Sequence, residues 1–271
     1  METNANMPSE VEEIKSCCAS VYQSDWARLL LGASFHPGGI ALTEHLGAML
    51  RLGPDQRVLD VASGQGMSAI RLAQRFDCIV IGIEYSPTMV EKANHAAAAA
   101  GVAHLVSFQQ GDAEHLSLPA SSFDAVICEC AFCTFPDKAT AMSEFVRVLK
   151  PGGYVGMSDL TRNGEIPEDL QSLLAWIACI ADAQPVTSYL QYFTKAGLMI
   201  DQVEPHDHAL ASLVREIQGK ILGTELLVKL KKIDLPSTID FDQARVLAKA
   251  TAEAVREQRF GYVIIIALKP A

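Results

Sequence analysis

Basic residues are scarce. Lys and Arg number 22 against 32 Asp and Glu, giving a net charge of −10. So acidic a chain is a poor match for a phosphate backbone or an anionic membrane surface, and neither nucleic acid nor membrane is expected as a partner. Long hydrophobic runs are missing too, since no stretch reaches the ~18 apolar residues of a membrane span. Residues 1–13 are polar and acidic, without the basic and apolar regions of a secretory leader, so a cytoplasmic location is expected. Internal repeats and low-complexity linkers are absent. The seven cysteines are an odd number that cannot all pair within one chain, so these thiols need a reason other than a disulfide framework. What remains is 271 residues, 49% hydrophobic and 20% charged, an ordinary globular composition large enough for one sizeable domain.

The pattern along the chain predicts helices over 11–31 and 40–52, then an alternation. Residues 57–61 read as a short apolar strand entering a glycine-rich turn, 68–76 as helix, and 78–83 as an almost continuously apolar strand. Such a run suits a strand buried on both faces. Ser86-Pro87 opens the next helix, with Ser as N-cap and Pro in the first turn. Strands follow over 105–108 and 123–128, a helix over 138–149 stopped by Pro151-Gly152-Gly153, and a strand over 154–158. This alternation predicts an α/β fold with a doubly wound parallel sheet. Beyond it come helices over 167–181 and 188–196, a strand over 199–204, long helices over 210–232 and 241–257, and a final strand over 261–268.

Asp60-Val61-Ala62-Ser63-Gly64-Gln65-Gly66 lies between the first strand and its helix, where an open α/β sheet places its ligand. It is not a Walker-type phosphate loop, and Ala69 occupies the place of the third glycine of Gly-x-Gly-x-x-Gly. Spacing alone leaves a structural turn as good a reading as a cofactor site. Three features tip the balance. Glu84 ends the second strand, where an acidic side chain takes ribose hydroxyls in dinucleotide folds. Gly111-Asp112-Ala113-Glu114 follows the third strand. Ser121-Ser122-Phe123-Asp124-Ala125-Val126 and Leu149-Lys150-Pro151-Gly152-Gly153 complete the series.

Over residues 54–160 this series resembles the class I S-adenosylmethionine-dependent methyltransferases. The resemblance implies a mostly parallel, seven-stranded Rossmann-like sheet with a helical cap inserted before the last strand. It implies S-adenosyl-L-methionine as cofactor, with three regions: 1–53 covering the site, 54–160 the core, and 161–271 the cap and last strands. It assigns Asp60, Ala62, Ser63, Gly64 and Gly66 to the methionine end, Glu84 to the ribose, Tyr85 and Met89 to adenine or ribose, and Asp112 with Ala113 to the adenine. Ala62-Ser63 stand where the family often has Gly-Cys; alanine is small, so the change is expected to cost little.

Cys128, Cys130 and Cys133 follow the fourth strand, on the segment that in this family passes the reactive methyl group, which puts Cys128 beside the cofactor. Cys78, inside a strand, reads as packing. A closed zinc site at Cys-x-Cys-x-x-Cys lacks a second ligand pair. Residues 127–196 carry a narrower resemblance, to the arsenite methyltransferases, through Cys130, Phe135-Pro136-Asp137-Lys138, Ser158-Asp159, Pro167-Glu168 and Cys179. It implies that Cys130 and Cys179 hold trivalent arsenic as substrate. Cys17 and Cys18 resemble the family's N-terminal pair and, with Cys128 or Cys133, are candidates to reduce the product before an external thiol reductant restores them. Two departures stand: no Cys lies between Cys18 and Cys78, and no cysteine-rich tail follows Cys179.

Other groups have plainer readings. Residues 22–26 and 34–39 read as a packed helix and a turn rather than a cofactor lid, with His36 either capping that turn or meeting the methionine carboxylate. His206 and His208 with Asp207 have the look of a metal cluster, but in a loop after the sixth strand they read rather as solvated. Lys229, Lys231 and Lys232 read as a solvated helix face. Two other functions share the core motifs: methylation of a small organic molecule, with His36 or Glu129 as base, and a thiol-based metalloid sensor without turnover.

Overall fold

The computed structural model describes residues 36–165, 182–232 and 240–271. The helices expected over 11–31 and 167–181, together with Cys17, Cys18 and Cys179, lie outside the described residues.

Seven strands form one sheet in the order β3-β2-β1-β4-β5-β7-β6. They are β1 (Arg57–Val61), β2 (Ile79–Glu84), β3 (Val106–Gln110), β4 (Phe123–Glu129), β5 (Leu149–Arg162), β6 (Met199–Pro205) and β7 (Phe260–Leu268). β1 to β5 pair in parallel; β7 runs antiparallel between β5 and β6. The helices are α1 (Gly39–Met49), α2 (Met67–Phe76), α3 (Pro87–Ala99), α4 (Lys138–Val148), α5 (Val186–Lys195), α6 (Asp207–Lys229) and α7 (Phe241–Arg256). The expected doubly wound sheet is present, and α6 and α7 precede the last strand as expected.

The central strands are apolar because both faces are covered. Val58, Leu59 and Val61 of β1, Val126 and Ile127 of β4 and Ile264 to Ile266 of β7 are all buried. α1 crosses the sheet closely, because Gly156 of β5 leaves room for Leu46 and Leu50. α3 begins as its sequence demands: the Ser86 hydroxyl accepts the Met89 N–H at 3.2 Å and Pro87 occupies the first turn. β5 is longer than expected and runs through Pro151-Gly152-Gly153 to Arg162. The irregular register beside Phe123 and Ala125 absorbs that stretch. Gly153 permits it, since a Cβ there would stand 2.7 Å from the Asp124 carbonyl.

The glycine turn is fixed to its neighbours by one aromatic ring. Phe108 of β3 is buried, and its ring fills the space that a Cβ on either Gly66 or Gly82 would need, at 2.4 and 2.2 Å. Gly66 also has φ +80°, the left-handed region that a side chain strains. Gly66→Ala is expected to destabilise the fold by about 1–3 kcal/mol through overpacking. Adding Phe108→Leu should return part of that loss by vacating the ring's space. Thermal melts of the single and double variants check this; an unchanged midpoint in the single variant would refute the packing account.

Candidate active site

Three carboxylates converge at the C-terminal ends of adjacent parallel strands. Asp60 lies near the end of β1, with Gly82 of β2 and Ile127 of β4 as register partners. Glu84 ends β2 and Glu129 ends β4. Asp60 is 2% exposed, and the Glu129 side chain is 4% exposed. Burial, then the nearby charges of Glu129 and Glu84, push the Asp60 carboxyl well above the usual carboxylate range. Burial also raises Glu84, partly opposed by the N–H groups of Ser86, Gly64 and Tyr85.

The backbone builds the pocket floor. The Ser63 N–H donates to the Ile83 carbonyl at 3.0 Å, and the Gly66 N–H to the Ser63 carbonyl at 2.9 Å. The Gly64 N–H donates to Glu84 Oε2 and the Ser86 N–H to Glu84 Oε1, both at 2.9 Å. Glu84 therefore ties the glycine turn to the start of α3. A Cβ on Gly64 (φ +55°) would meet nothing within 4 Å among the described residues. Ala62 has φ +59°. Alanine in that region costs about 1–2 kcal/mol, more than the small cost expected from its size. Backbone strain of this kind persists where surrounding structure enforces it, often at functional sites.

Three buried polar atoms around this floor have no hydrogen-bond partner among the described residues: Asp60 Oδ2, Ser63 Oγ and Glu129 Oε1. Two buried carboxylate oxygens and a buried hydroxyl on neighbouring segments are a donor set that fits a polar cation such as the amino group of S-adenosylmethionine. After β3, Asp112 Oδ1 accepts the Glu114 N–H at 2.9 Å, and Ala113 beside it is half-buried. Tyr85 is 36% exposed, whereas Met89 is 2% exposed, so most of that thioether is turned inward.

On the other side of Asp60 the polar groups continue. The Thr43 hydroxyl donates to Glu129 Oε2 at 2.9 Å and lies 3.3 Å from both His36 Nε2 and Ser68 Oγ. His36 Nε2 stands 3.8 Å from Glu129 Oε2. His36 thus closes its turn through Nδ1, 3.2 Å from the Pro37 carbonyl, and faces Glu129 with the other nitrogen. Thr43 carried no sequence signal. Only the helical periodicity that sets it one turn before Leu46 and Gly47, on the buried side of α1, marks it.

The cysteines separate by depth. Cys128 and Cys133 are fully buried, and Cys130 is half-buried. Burial, then the charges of Asp159, Asp60 and Glu129, hold the Cys128 thiol well above its ordinary value, so it is a poor source of thiolate. The Cys133 N–H donates to Asp159 Oδ2 at 2.8 Å, which fixes the short helical turn after β4. Cys130 has φ +52°, and its N–H donates to the Ser158 carbonyl at 2.7 Å. Burial pushes Cys78 up to about 11, consistent with its expected packing role.

One expectation fails at His206. It does not sit in a solvated loop, because β6 runs to Pro205 and α6 starts at Asp207. Its N–H donates to the Tyr262 carbonyl at 2.6 Å, and it is 7% exposed. Asp207 Oδ1 accepts the Tyr262 N–H at 3.0 Å. His208 is exposed, as expected. Lys229, Lys231 and Lys232 are also exposed.

Residues 59–157 match the family described as "Methyltransferase domain". The arsenite methyltransferase of Halobacterium salinarum is 31% identical over 165 residues, 60% of this chain and 42% of that protein. Methyltransferase GfsG of Streptomyces halstedii is 28% identical over 235 residues, 86% of this chain and 81% of that protein. The structure of Haemonchus contortus phosphoethanolamine N-methyltransferase 2 in complex with S-adenosyl-L-methionine superposes with a TM-score of 0.81. That match covers 98% of this chain and 62% of the other, at 20% identity. The chain thus spans less than half of the Halobacterium relative and about four-fifths of GfsG. The family match covers residues 59–157, most of β1 to β5, so a methyltransferase domain is recognised there, and the superposition shows that the sheet as a whole has the same fold as a methyltransferase.

The raised carboxyls give a signed expectation. A bound cation favours ionised Asp60 and Glu84, so cofactor binding should release protons and tighten as pH rises from about 4 through their raised range. In the cofactor-free protein these two groups contribute with the opposite sign: their share of the stability is fullest below pH ~4 and is lost as pH rises through the raised values. Asp60→Asn should therefore raise the stability of the cofactor-free protein more at pH 8 than at pH 4, while weakening cofactor binding about tenfold or more. Denaturant melts and titration calorimetry at the two pH values check both; equal affinity for the variant and the parent would refute the assignment.

Proposed function

We propose that this protein transfers methyl groups from S-adenosylmethionine to trivalent arsenic, as arsenite or methylarsenite, held on Cys130 and Cys179. The supporting observation is the position of Cys130. It is the thiol of the 128–133 trio that is not fully buried, held in a left-handed conformation at the end of β4, next in sequence to Glu129. Cys179 supplies the second thiolate by its resemblance to the arsenite enzymes. The likeness to the Halobacterium arsenite methyltransferase supports the same reading.

The residues suit that chemistry. Asp60, Glu84, Ser63 and the backbone of Gly64 and Gly66 would hold the cofactor, with Tyr85, Met89, Asp112 and Ala113 on its adenosine side. When bound, S-adenosylmethionine supplies an electrophilic methyl group on a sulfonium. Trivalent arsenic is soft, so thiolates are its natural ligands. Its lone pair is the nucleophile, so the chain need only fix the acceptor in line. Methylation leaves arsenic pentavalent. Cys17 and Cys18 would return two electrons by forming a disulfide, which an external thiol reductant then reopens. The depth of Cys128 and Cys133 argues against either as the resolving thiol.

A second reading has its own observation. The His36, Thr43 and Glu129 network is a buried hydrogen-bonded set able to take a proton from an organic hydroxyl or amine. The assay supplies the protein with S-adenosylmethionine, arsenite and a thiol reductant, and measures methylated arsenicals. Cys130→Ser and Cys179→Ser should each cut the rate about 100-fold or more, since thiol positioning is what the protein contributes. His36→Ala should leave it within about threefold. Turnover that survives both serine variants would overturn the thiol site. Arsenic binding without product would point to the sensor function.

A further inference from the structure

Away from the cofactor pocket, a second cluster of ligand-type side chains joins the first helix to the far edge of the sheet. His45 lies on α1, Glu204 near the end of β6, and His206 immediately before α6. His45 Nε2 stands 3.0 and 3.1 Å from the two Glu204 oxygens. His206 Nε2 stands 3.1 Å from Glu204 Oε1. One donor atom from each of the three lies within 4.8 Å of the other two.

An ordinary ion pair accounts for His45 and Glu204, which are both about half exposed. It does not account for His206. Its side chain is only 9% exposed, and Nε2 has no hydrogen-bond partner despite its approach to Glu204. A buried ring nitrogen without a partner is uncommon and asks for an explanation. Here that nitrogen is turned toward a carboxylate and a second imidazole, whose rings stand 5.6 Å apart, edge to face. Asp207 is committed elsewhere, to the Tyr262 N–H.

We propose that His45, Glu204 and His206 bind a divalent cation of the zinc class. Two imidazoles and one carboxylate are a standard donor set for zinc, with a fourth position open to water. A tetrahedral ion bonded at about 2.0–2.1 Å sets neighbouring ligand atoms ~3.3 Å apart, close to the 3.0 and 3.1 Å that separate the two histidine nitrogens from Glu204 Oε1. The exposed His45 side chain has room for the small adjustment. The ion would tie together segments 159 residues apart in sequence. It would also anchor α1, whose Thr43, two residues before His45, holds Glu129 in the cofactor pocket. This inference is independent of the methyl acceptor.

The test uses the full chain, stripped with a chelator under reducing conditions and titrated with zinc chloride, then with cobalt chloride. One equivalent of cobalt should give visible bands of a tetrahedral nitrogen and oxygen site, without the near-ultraviolet charge-transfer band of thiolate ligands. Zinc should raise the melting temperature. His45→Ala and Glu204→Gln, both at exposed positions, should keep the metal-free melting temperature and weaken zinc binding about tenfold or more. No binding, unchanged affinity in both variants, or a spectrum carried only by thiolate would each overturn the proposal.

Discussion

The arrangement around the site follows from negative charge buried where a parallel sheet opens. Asp60, Glu84 and Glu129 lie at or next to the ends of neighbouring strands, with Asp60 and the Glu129 side chain buried and Glu84 half-buried. Burial first, and then the repulsion of like charges in a low-dielectric site, raise the Asp60 carboxyl. The cluster is therefore costly without a cation. Part of the cost is met locally: the N–H groups of Gly64 and Ser86 serve Glu84, and Thr43 serves Glu129. Asp60 Oδ2 and Glu129 Oε1 remain unserved. A pocket whose unmet demand is for positive charge and hydrogen-bond donors is selective before any shape is considered.

That demand explains why the surrounding backbone is rigid and in places strained. Ala62 and Cys130, at the ends of β1 and β4, both take left-handed conformations that cost a side chain energy. Packing enforces them. Phe108 occupies the gaps beside Gly66 and Gly82, and the Ser63 N–H is fixed to the strand carrying Ile83. The turn cannot relax without displacing a buried ring. The same residues that make the turn expensive make it pre-formed, so little reorganisation is left for ligand binding.

Much of this was legible in the sequence because the signals were local. Strand, glycine turn and helix recur at fixed spacing, and Glu84 and Asp112 follow their strands directly, so sheet and pocket floor could be read without coordinates. Three features were not. β5 runs through Pro151-Gly152-Gly153, which reads as a stop but is accommodated by an irregular register and a close approach to Asp124. The depth of Cys128 and Cys133 depends on which face of β4 and its following turn meets the core, so three cysteines in six residues read as one cluster when they are three environments. Thr43 and His45 belong to a helix whose partners, Glu129 and Glu204, are 86 and 159 residues away. No local pattern encodes such pairings.

These long-range pairings bear on the choice of acceptor. α1 brings Thr43, and the turn before it brings His36, to Glu129, which ends the strand just before Cys130. Two chemistries thus meet at one strand end: a soft thiol, and a hard, hydrogen-bonded carboxylate. They are not equivalent demands. An oxygen or nitrogen nucleophile must lose a proton and needs the carboxylate as base. An arsenic lone pair needs none, and there the same carboxylate would act by its charge, beside the developing transfer of a cationic methyl group. The Glu129 network is compatible with both acceptors, whereas a half-buried thiol at that position would be a ligand for a thiophilic acceptor and has no part in deprotonating an organic one. The thiol rather than the carboxylate is what separates the alternatives.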